Sequence, residues 1–449
     1  MPLSYRAYDL ALRCLQGLSP PLGLWNRSKV GRGIRGRIVS GRALRDWGRE
    51  YREEGRPVAW FHAPSVGESL QARAVMNALM ELEPELQLAY TFFSPSAEEM
   101  LHRMPIHAGG YLPWDTRPEM GSLLDHLRPD LLAFTKTEVW PILVTEARNR
   151  GIPTVLVAAT LPPGARRLRG PARRFLAPAF GALDRVLAIA EEDGKRFRRL
   201  GVAAEAVEVT GDPAVDSAIG RVEALDEDAP HLHLLRDAER PTVVAGSTWP
   251  ADEEVLLPAL RIVGKEIPGL RVVVAPHEPT PNHVEDLLQG FREMGRSAEP
   301  LSRVEEGTVE GEVDDVVVDR VGVLAELYTL GQVAYVGGGF HRHGLHSVLE
   351  PAAAGSPVLF GPRHENARAA SELVDEGGGS VVRDPESLAE ALARWLRDEG
   401  AREEASERAR RYVERHRGAA VRSAEVLHGL LKERVGSPGK TPPEVQAPE

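Results

Sequence analysis

Apolar and polar residues alternate along this 449-residue chain in blocks that predict short buried strands followed by amphipathic helices. In the first half, the predicted strands are 58–63, 86–93, 111–113, 131–134, 154–159, 186–190 and 207–209, and the main helices are 69–82, 119–127, 140–150 and 166–180. Strands that alternate with helices at this spacing predict a parallel sheet covered by helices on both faces.

The same pattern restarts after a polar stretch at 223–233, which predicts a linker. The second set of predicted strands is 242–245, 270–275, 316–318, 333–336 and 358–360, and a long charged helix over 386–413 has a break near Gly400. A chain of this length exceeds what one core accommodates. We therefore predict an α/β protein with two doubly wound, Rossmann-like domains, 57–225 and 238–432, facing a central ligand cleft.

The two ends of the chain differ from these domains. Residues 5–24 are apolar but include Arg6, Asp9 and Arg13, so they predict an amphipathic helix, either lying on a membrane or packed on the domain, and no membrane span. Ten arginines and lysines between 27 and 56 suggest an anionic partner such as a membrane surface or phosphorylated lipid, or else a solvated basic surface. We assign 1–56 as a basic, membrane-associating segment and predict that 436–449 is disordered.

The amino-acid composition of the chain limits its possible partners and its cellular compartment. The 42% of hydrophobic residues is enough for two cores, and the net charge of −11 argues against nucleic acid as a partner. A single cysteine, Cys14, excludes a disulfide framework and a cysteine metal site, and favours the cytosol.

The stretch 333–362 predicts a strand, a glycine turn at 337–339, a helix and another strand. Ser347 and Glu350 fit a capping box that begins a helix near Val348, and Pro351 is tolerated only in its first turn. Free amides at such a helix end attract a phosphate. Glu350 can then either bind ribose hydroxyls or only cap its own helix, and the spacing favours neither interpretation.

A second candidate is Glu68, which follows a strand and begins a helix in the run Pro64-Ser65-Val66-Gly67-Glu68. A carboxylate in that position can act as a general base. The alternative is a first-turn glutamate that only favours the helix dipole, by about 0.5 kcal/mol. Ser65 and Gly67 are predicted to lie against substrate, where glycine lets the backbone approach closely.

Together these motifs resemble those of the 3-deoxy-D-manno-octulosonic acid (Kdo) transferases of lipopolysaccharide core synthesis, over about 58–382. The segments that carry the resemblance are 62–68 (HAPSVGE), 111–115 (YLPWD), 137–141 (TEVWP), 246–248 (GST) and 333–362. The resemblance implies a GT-B glycosyltransferase on the cytoplasmic face of the inner membrane. It would move Kdo from CMP-Kdo to a lipid A precursor (lipid IVA) with inversion, without a metal or other cofactor.

The resemblance also assigns roles. It makes Glu68 the proton acceptor and Glu350 the ribose ligand. It places the remaining contacts to CMP on Pro276, His277, Val321, Gly322, Val323, Ser347, Val348 and Leu349. An ordinary loop histidine is the alternative for His277.

Three positions depart from the family pattern. An arginine contact becomes His277, a glutamate becomes Lys136, and a lysine becomes Ala214. The last two are the family's transition-state stabilisers, so our hypothesis is that Lys136 supplies the positive charge that Ala214 lacks.

Two other functions remain open at this point: a related GT-B enzyme with a different nucleotide-sugar donor, such as an epimerase, and a non-catalytic lipid-binding homologue. His341, His343 and His346 have poor spacing for a metal site, and we expect them to face solvent or substrate.

Overall fold

The computed structural model describes residues 1–25, 29–236, 240–309 and 313–436. It divides into two compact units, Met1–Ser217 with the chain from Gly418 onward, and Ala218–Arg417. Each unit contains one seven-stranded sheet in which every pair of neighbouring strands is parallel. This confirms the predicted α/β class.

The first unit is built on strands whose residues are apolar in nearly continuous runs, as expected of strands covered on both faces. They are β1 (Val58–His62), β2 (Gln87–Phe92), β3 (Ala108–Tyr111), β4 (Leu131–Thr135), β5 (Thr154–Ala159), β6 (Arg185–Ala188) and β7 (Val207–Val209), in the order β3-β2-β1-β4-β5-β6-β7. Strands β1, β2, β4 and β5 are buried along their whole length.

The helices that cover this sheet begin with two that precede the first strand. They are α1 (Leu3–Trp25), α2 (Lys29–Glu50), α3 (Val66–Leu82), α4 (Arg117–Leu127), α5 (Pro141–Asn149), α6 (Gly170–Phe180), α7 (Glu191–Leu200) and α8 (Pro213–Glu223), with 3-10 turns at Pro95–Arg103, Arg166–Leu168 and Ala204–Ala206.

The second unit has the same architecture, a parallel sheet covered by helices. Its strands are β8 (Thr242–Thr248), β9 (Arg271–Pro276), β10 (Ala298–Pro300), β11 (Asp315–Val317), β12 (Val333–Val336), β13 (Val358–Phe360) and β14 (Gly379–Val381), in the order β10-β11-β9-β8-β12-β13-β14. Its helices are α9 (Pro230–His233), α10 (Pro250–Glu266), α11 (Pro281–Glu293), α12 (Leu301–Glu305), α13 (Leu324–Leu327), α14 (Leu349–Ala354), α15 (Arg368–Glu376), α16 (Pro385–Arg397) and α17 (Glu399–His416), with a 3-10 turn at Tyr328–Leu330.

The last described helix, α18 (Ala419–Val435), belongs to the first unit. Its Ala424 and Leu427 lie in the same buried cluster as Val75 and Leu79 of α3. The predicted second domain, 238–432, is therefore wrong for residues 418–432. The apolar stripe of a helix shows that one face is buried, but it carries no information on which core that face packs against. Except for Gly436, the predicted disordered tail lies outside the described residues.

The basic segment 1–56 packs on the first unit along part of its surface. Tyr5 is 1% exposed and donates from its hydroxyl to the Phe175 carbonyl (3.0 Å), and Asp9 accepts from the Arg117 amide (2.7 Å). The opposite side of α1 exposes Leu10 and Leu18 by 64% and 68%. In the described part of the chain, no helix combines the length and hydropathy needed to cross a membrane.

Candidate functional site

Each sheet reverses its strand order at one point, between β1 and β4 in the first unit and between β8 and β12 in the second. Open parallel sheets bind ligands at the carboxyl ends of their strands at such a point. Glu68 and Lys136 follow β1 and β4, and the glycines 337–339 follow β12. The sequence motifs therefore lie at the two places where this fold binds ligands.

In the first unit, the structure brings Glu68 and Lys136 together. The Lys136 Nζ lies 3.4 Å from Glu68 Oε1, and the two side chains are 43% and 15% exposed. The other carboxylate oxygen, Oε2, is buried and has no hydrogen-bond partner in the described residues. One oxygen therefore faces a cation while the second is left to accept a proton.

Lys136 has a left-handed backbone, with φ at +65°. Its amide donates to the Val157 carbonyl (2.9 Å), and its own carbonyl accepts from the Thr160 amide (3.4 Å). A non-glycine residue in this region costs about 1–2 kcal/mol. These two backbone hydrogen bonds, at the carboxyl end of β4, hold Lys136 in this conformation. Such backbone conformations are common where a side chain is positioned in a functional site.

Ser65 and Gly67, which were predicted to lie against substrate, sit at the beginning of α3. Ser65 is the N-cap residue by backbone conformation, but its side chain caps no amide. A Cβ at Gly67 would meet no protein atom within 4 Å, so packing within the protein does not require glycine there. Their contact with substrate stays a prediction.

A buried chain of hydrogen bonds fixes His62 at the end of β1. The Trp140 indole Nε1 donates to His62 Nε2 (2.9 Å), and His62 Nδ1 lies 3.0 Å from Thr91 Oγ1. Because an indole N–H can only donate, His62 Nε2 must be unprotonated and Nδ1 carries the hydrogen. Burial lowers the pKa of His62 to about 3, so the imidazole stays neutral. His62 is a structural link between β1 and the loop that carries Lys136.

Around the position of Ala214, the structure shows a carboxylate. Asp212 is half-buried and accepts from Gln71 Nε2 (2.8 Å) and from the Ala214 amide (2.9 Å). Burial raises the pKa of Asp212, while the Gln71 bond and the charge of Lys136 act in the opposite direction. Gln71 lies one helical turn after Glu68 on α3, so this carboxylate and the candidate base are held by the same helix.

In the second unit, the glycine stretch is packed backbone against backbone. A Cβ at Gly337 would collide with Ser247 and Thr248, and one at Gly339 would collide with Gly361. The prediction that these glycines admit a ligand is therefore incomplete, because these glycines also let the end of β8 and the loops after β12 and β13 touch. Ser247, like Lys136, has a left-handed backbone, with φ at +55°.

Asp252 on α10 organises this loop. It is 0% exposed, and its Oδ2 accepts from the amides of Gly338 (2.7 Å) and Trp249 (3.0 Å). Its Oδ1 accepts from the Phe340 amide (3.1 Å) and the Tyr335 hydroxyl (3.3 Å). Both oxygens are therefore engaged in holding the glycine turn.

The predicted capping box at Ser347 and Glu350 is wrong. Helix α14 begins at Leu349 after an N-cap residue, Val348, that makes no side-chain cap, and the carboxylate of Glu350 pairs with Arg221 of α8 instead. The serine hydroxyl accepts a long bond from the Leu349 amide (3.4 Å). Glu350 is thus freed from capping and is fixed by an arginine, which leaves the ribose role as a prediction. The helix has only six residues, so its dipole is short.

The other predicted nucleotide contacts lie on loops of the same unit. Pro276 ends β9 as a buried residue and His277 follows it. Val321 is 59% exposed, and Gly322 has φ at +99°. The ring of His277 packs against the rings of Trp249 and His346. Among the described residues, no group of three or more His, Cys, Asp or Glu side chains is arranged to hold a metal ion.

Comparison with known proteins shows which family the chain is similar to. The family described as "3-Deoxy-D-manno-octulosonic-acid transferase (kdotransferase)" matches residues 40–217. The chain is 29% identical over 442 residues to the 3-deoxy-D-manno-octulosonic acid transferase of Bordetella pertussis, covering 94% of this chain and 99% of that one. It is 28% identical over 388 residues to the Haemophilus influenzae transferase, covering 84% and 88%. The chain is therefore similar to Kdo transferases along most of its length.

Solved structures agree with this at the level of the fold. UDP-GlcNAc 2-epimerase from Neisseria meningitidis superimposes with a TM-score of 0.56 at 13% identity, over 84% of this chain and 99% of that one. A glycosyltransferase from Rickettsia africae gives a TM-score of 0.56 at 10% identity, over 85% and 99%. The family is one of glycosyltransferase enzymes, and the GT-B fold predicted for the chain is confirmed.

Several residues of this candidate site were not found from the sequence. Asp252 sits three residues after the N-cap position of α10, a spacing that could have signalled a capping role. Gln71, Asp212 and Arg221 carried no such signal, because their partners are distant in sequence.

Proposed function

We propose that the chain is an inverting glycosyltransferase that moves Kdo from CMP-Kdo to a lipid A precursor such as lipid IVA. The observation that carries the proposal is Glu68, which has one oxygen beside Lys136 and the other buried and unbonded at the switch point of the first sheet. A base for a sugar hydroxyl needs such an ionised carboxylate with a vacant acceptor oxygen.

In the proposed reaction, an acceptor hydroxyl attacks the anomeric carbon of Kdo while the bond from that carbon to the phosphate oxygen of CMP breaks. Glu68 takes the hydroxyl proton as the new bond forms. CMP leaves as a stable anion, so the reaction needs positive charge near the leaving group more than it needs a general acid. We assign that charge to Lys136, in place of the lysine that Ala214 has lost.

The second unit would hold the nucleotide. We assign the ribose to Glu350, whose ion pair with Arg221 keeps the carboxylate in place. The phosphate would contact Ser347 and the amides of Val348 and Leu349. Pro276, His277 and the loop Val321-Gly322-Val323 complete the predicted set of nucleotide contacts.

The first unit would also bring the enzyme to its lipid acceptor. The free side of α1 is an apolar stripe that includes Leu3, Leu10, Leu15 and Leu18, which are 54–81% exposed, with Arg6 and Arg13 beside them. Helix α2 adds the exposed Arg32, Arg42 and Arg49. Apolar and cationic side chains on neighbouring helices suit the boundary of an anionic membrane. We therefore propose peripheral binding to the cytoplasmic face of the inner membrane.

One assay tests the function. Purified protein is incubated with CMP-Kdo and a tetraacylated lipid A precursor, and the products are resolved by mass. We expect the acceptor to gain at least one Kdo residue and CMP to appear in equal amount. No added Kdo, or turnover of a UDP-linked sugar instead, would favour the related GT-B enzyme. Full biological complementation by Glu68→Gln would favour the lipid-binding protein.

A further inference from the structure

Five rings gather at the carboxyl edge of the second sheet, and we call them the ring cluster: Trp249, His277, His341, His343 and His346. They come from three separate loops, after β8, after β9 and after β12. The ring centroids of Trp249 and His341 are 4.3 Å apart at an interplanar angle of 12°. His277 lies 4.6 Å from Trp249 and 4.4 Å from His346, and His343 lies 4.6 Å from His341.

The ring cluster keeps its innermost imidazole neutral. Trp249 Nε1 donates to His346 Nε2 (3.0 Å), so the hydrogen of the neutral ring is on Nδ1. Burial, together with the neighbouring His277 and His341, lowers the pKa of His346 to about 4. Partial burial also lowers the pKa of His277. When several imidazoles lie together, protonation of one disfavours protonation of the others. A bound anion would offset this repulsion and stabilise the protonated rings.

The charged groups around the ring cluster leave room for such an anion. Glu278, next to His277, is the carboxylate whose charge favours protonation of His277. Glu253 is already bonded to His283 (2.9 Å) and Thr248 (2.7 Å), and Asp252 is bonded to backbone amides. Arg342 lies in the loop after β12, and Arg363 follows β13, where its amide donates to the Gly339 carbonyl (2.9 Å). In the described residues, no Asp or Glu forms an ion pair with any of the four imidazoles.

The position of the ring cluster connects it with the donor. His277 stands where the family pattern has an arginine, and His346 directly precedes Ser347 of the predicted phosphate contact. A nucleotide-linked acidic sugar carries two anions, a phosphodiester and a carboxylate. The stacked faces of Trp249, His341 and His277 already contact one another, so ring edges with their N–H groups are what the cluster offers, and N–H donors suit a carboxylate better than a nucleobase.

We propose that the ring cluster binds the carboxylate of the acidic sugar in the donor, in place of the arginine that this chain lacks. This inference rests on the proposed function and deepens it. An anion held by imidazoles favours their protonated form, so binding takes up protons and strengthens as the pH falls from 8 to 6. The phosphodiester and the carboxylate of the donor are ionised throughout that range.

The test measures binding directly. The dissociation constants of Kdo and of its uncharged methyl ester are measured by calorimetry on protein saturated with CMP, at pH 6 and pH 8. The wild type is compared with the double variant His341→Ala/His343→Ala, and with His233→Ala, an exposed histidine of α9 outside the cluster, as the matched control. The affinity for CMP reports whether each variant is folded.

We expect the wild type and His233→Ala to bind Kdo about 10-fold more tightly than the ester at pH 6, with less preference at pH 8. The double variant loses this preference and keeps its CMP affinity within about twofold. Equal affinities of wild type for Kdo and ester, or a parallel loss of CMP and Kdo affinity, would overturn the inference. A wild type that prefers Kdo over the ester but forms no product would support the ring cluster and contradict the proposed function.

Discussion

The switch points of the two sheets share one topology but carry opposite chemistry. In the first unit, the site is an ion pair between Glu68 and Lys136, in which Nζ and Oε1 are 3.4 Å apart. The neutral imidazole of His62 lies in the same unit, at the end of β1. In the second unit, the site consists of packed glycines, backbone amides and stacked rings around Asp252. The sheet decides where a site lies, and the loops after its strands decide what the site does.

This contrast matches the two tasks that we propose. A proton acceptor must be charged and must keep one oxygen vacant, which Glu68 does through its buried, unbonded Oε2. A ligand cradle needs fixed geometry, which Asp252 supplies with both oxygens bonded. Substitutions in the two units should therefore separate proton transfer from nucleotide binding.

The largest effect should come from Glu68→Gln, which keeps the size of the side chain but cannot accept a proton. We expect kcat for Kdo transfer to fall by about 10²–10⁴-fold, the usual contribution of a general base. The KM for the donor should change little. Glu81→Gln, near the other end of α3, serves as the control and should keep the full rate. A Glu68→Gln enzyme within about threefold of wild type would remove the base from the mechanism.

Lys136→Ala should follow, with kcat lowered by about 10²–10³-fold if the lysine stabilises developing charge. Because the backbone at 136 is left-handed, Lys136→Gly is the better-folded variant, and it should be more stable than the alanine by about 1 kcal/mol yet equally slow. Thermal unfolding and single-turnover rates measure the two effects separately. Lys136→Gly with full activity would show that strain and not charge explains the lysine.

These two side chains also show what could be predicted from sequence. The strand and helix pattern was enough for the α/β fold, since runs such as 131–134 and 333–336 are apolar without interruption. Glu68 was found because it follows a strand, begins a helix and fits the family motif, whereas Lys136 was found because it replaces a glutamate of the family pattern. Their 3.4 Å separation was not predictable, because it depends on β1 and β4 being neighbours although two strands intervene in the chain.

Contacts between distant parts of the chain account for the errors. Glu350 was assigned to a capping box by spacing, but the structure gives its carboxylate to Arg221, 129 positions earlier in the chain numbering. Residues 418–432 were assigned to the second domain, but α18 packs against α3 of the first unit, which precedes it by most of the sequence. Local rules identify an element and its face, and tertiary competition decides the partner.

The two units should also differ when their organising carboxylates are neutralised. Asp252→Asn places an amide NH₂ toward N–H or O–H donors whichever way it turns, so we expect the second unit to lose about 2–3 kcal/mol of unfolding free energy. Asp115 of the first unit bonds the amides of Ile142 and Leu143, but burial raises its pKa to about 7. Asp115→Asn should therefore cost less, about 1 kcal/mol. Urea unfolding measures both, and equal losses would contradict this difference.

A further predicted effect is a pH dependence of stability that comes from His62. Its pKa is about 3 in the folded chain and ordinary in the unfolded chain, so only the unfolded state takes up a proton as the pH falls from about 6.5 towards 3. This contribution to stability is therefore lost as the pH falls. The raised pKa of Asp115 acts in the opposite sense, so the difference between wild type and His62→Gln is the quantity to measure. A difference that does not shrink between pH 6.5 and pH 4 would contradict the neutral imidazole.

The central claim is that the first unit performs the proton transfer and the second unit holds the nucleotide. The most direct test is the dissociation constant of CMP, measured by calorimetry on Glu68→Gln and Glu350→Gln in parallel with the wild type. We predict that Glu68→Gln binds CMP within twofold of wild type, whereas Glu350→Gln binds it about 10-fold more weakly, the loss expected for one charged hydrogen bond. Equal weakening in both variants, or unchanged binding by Glu350→Gln, would contradict this division.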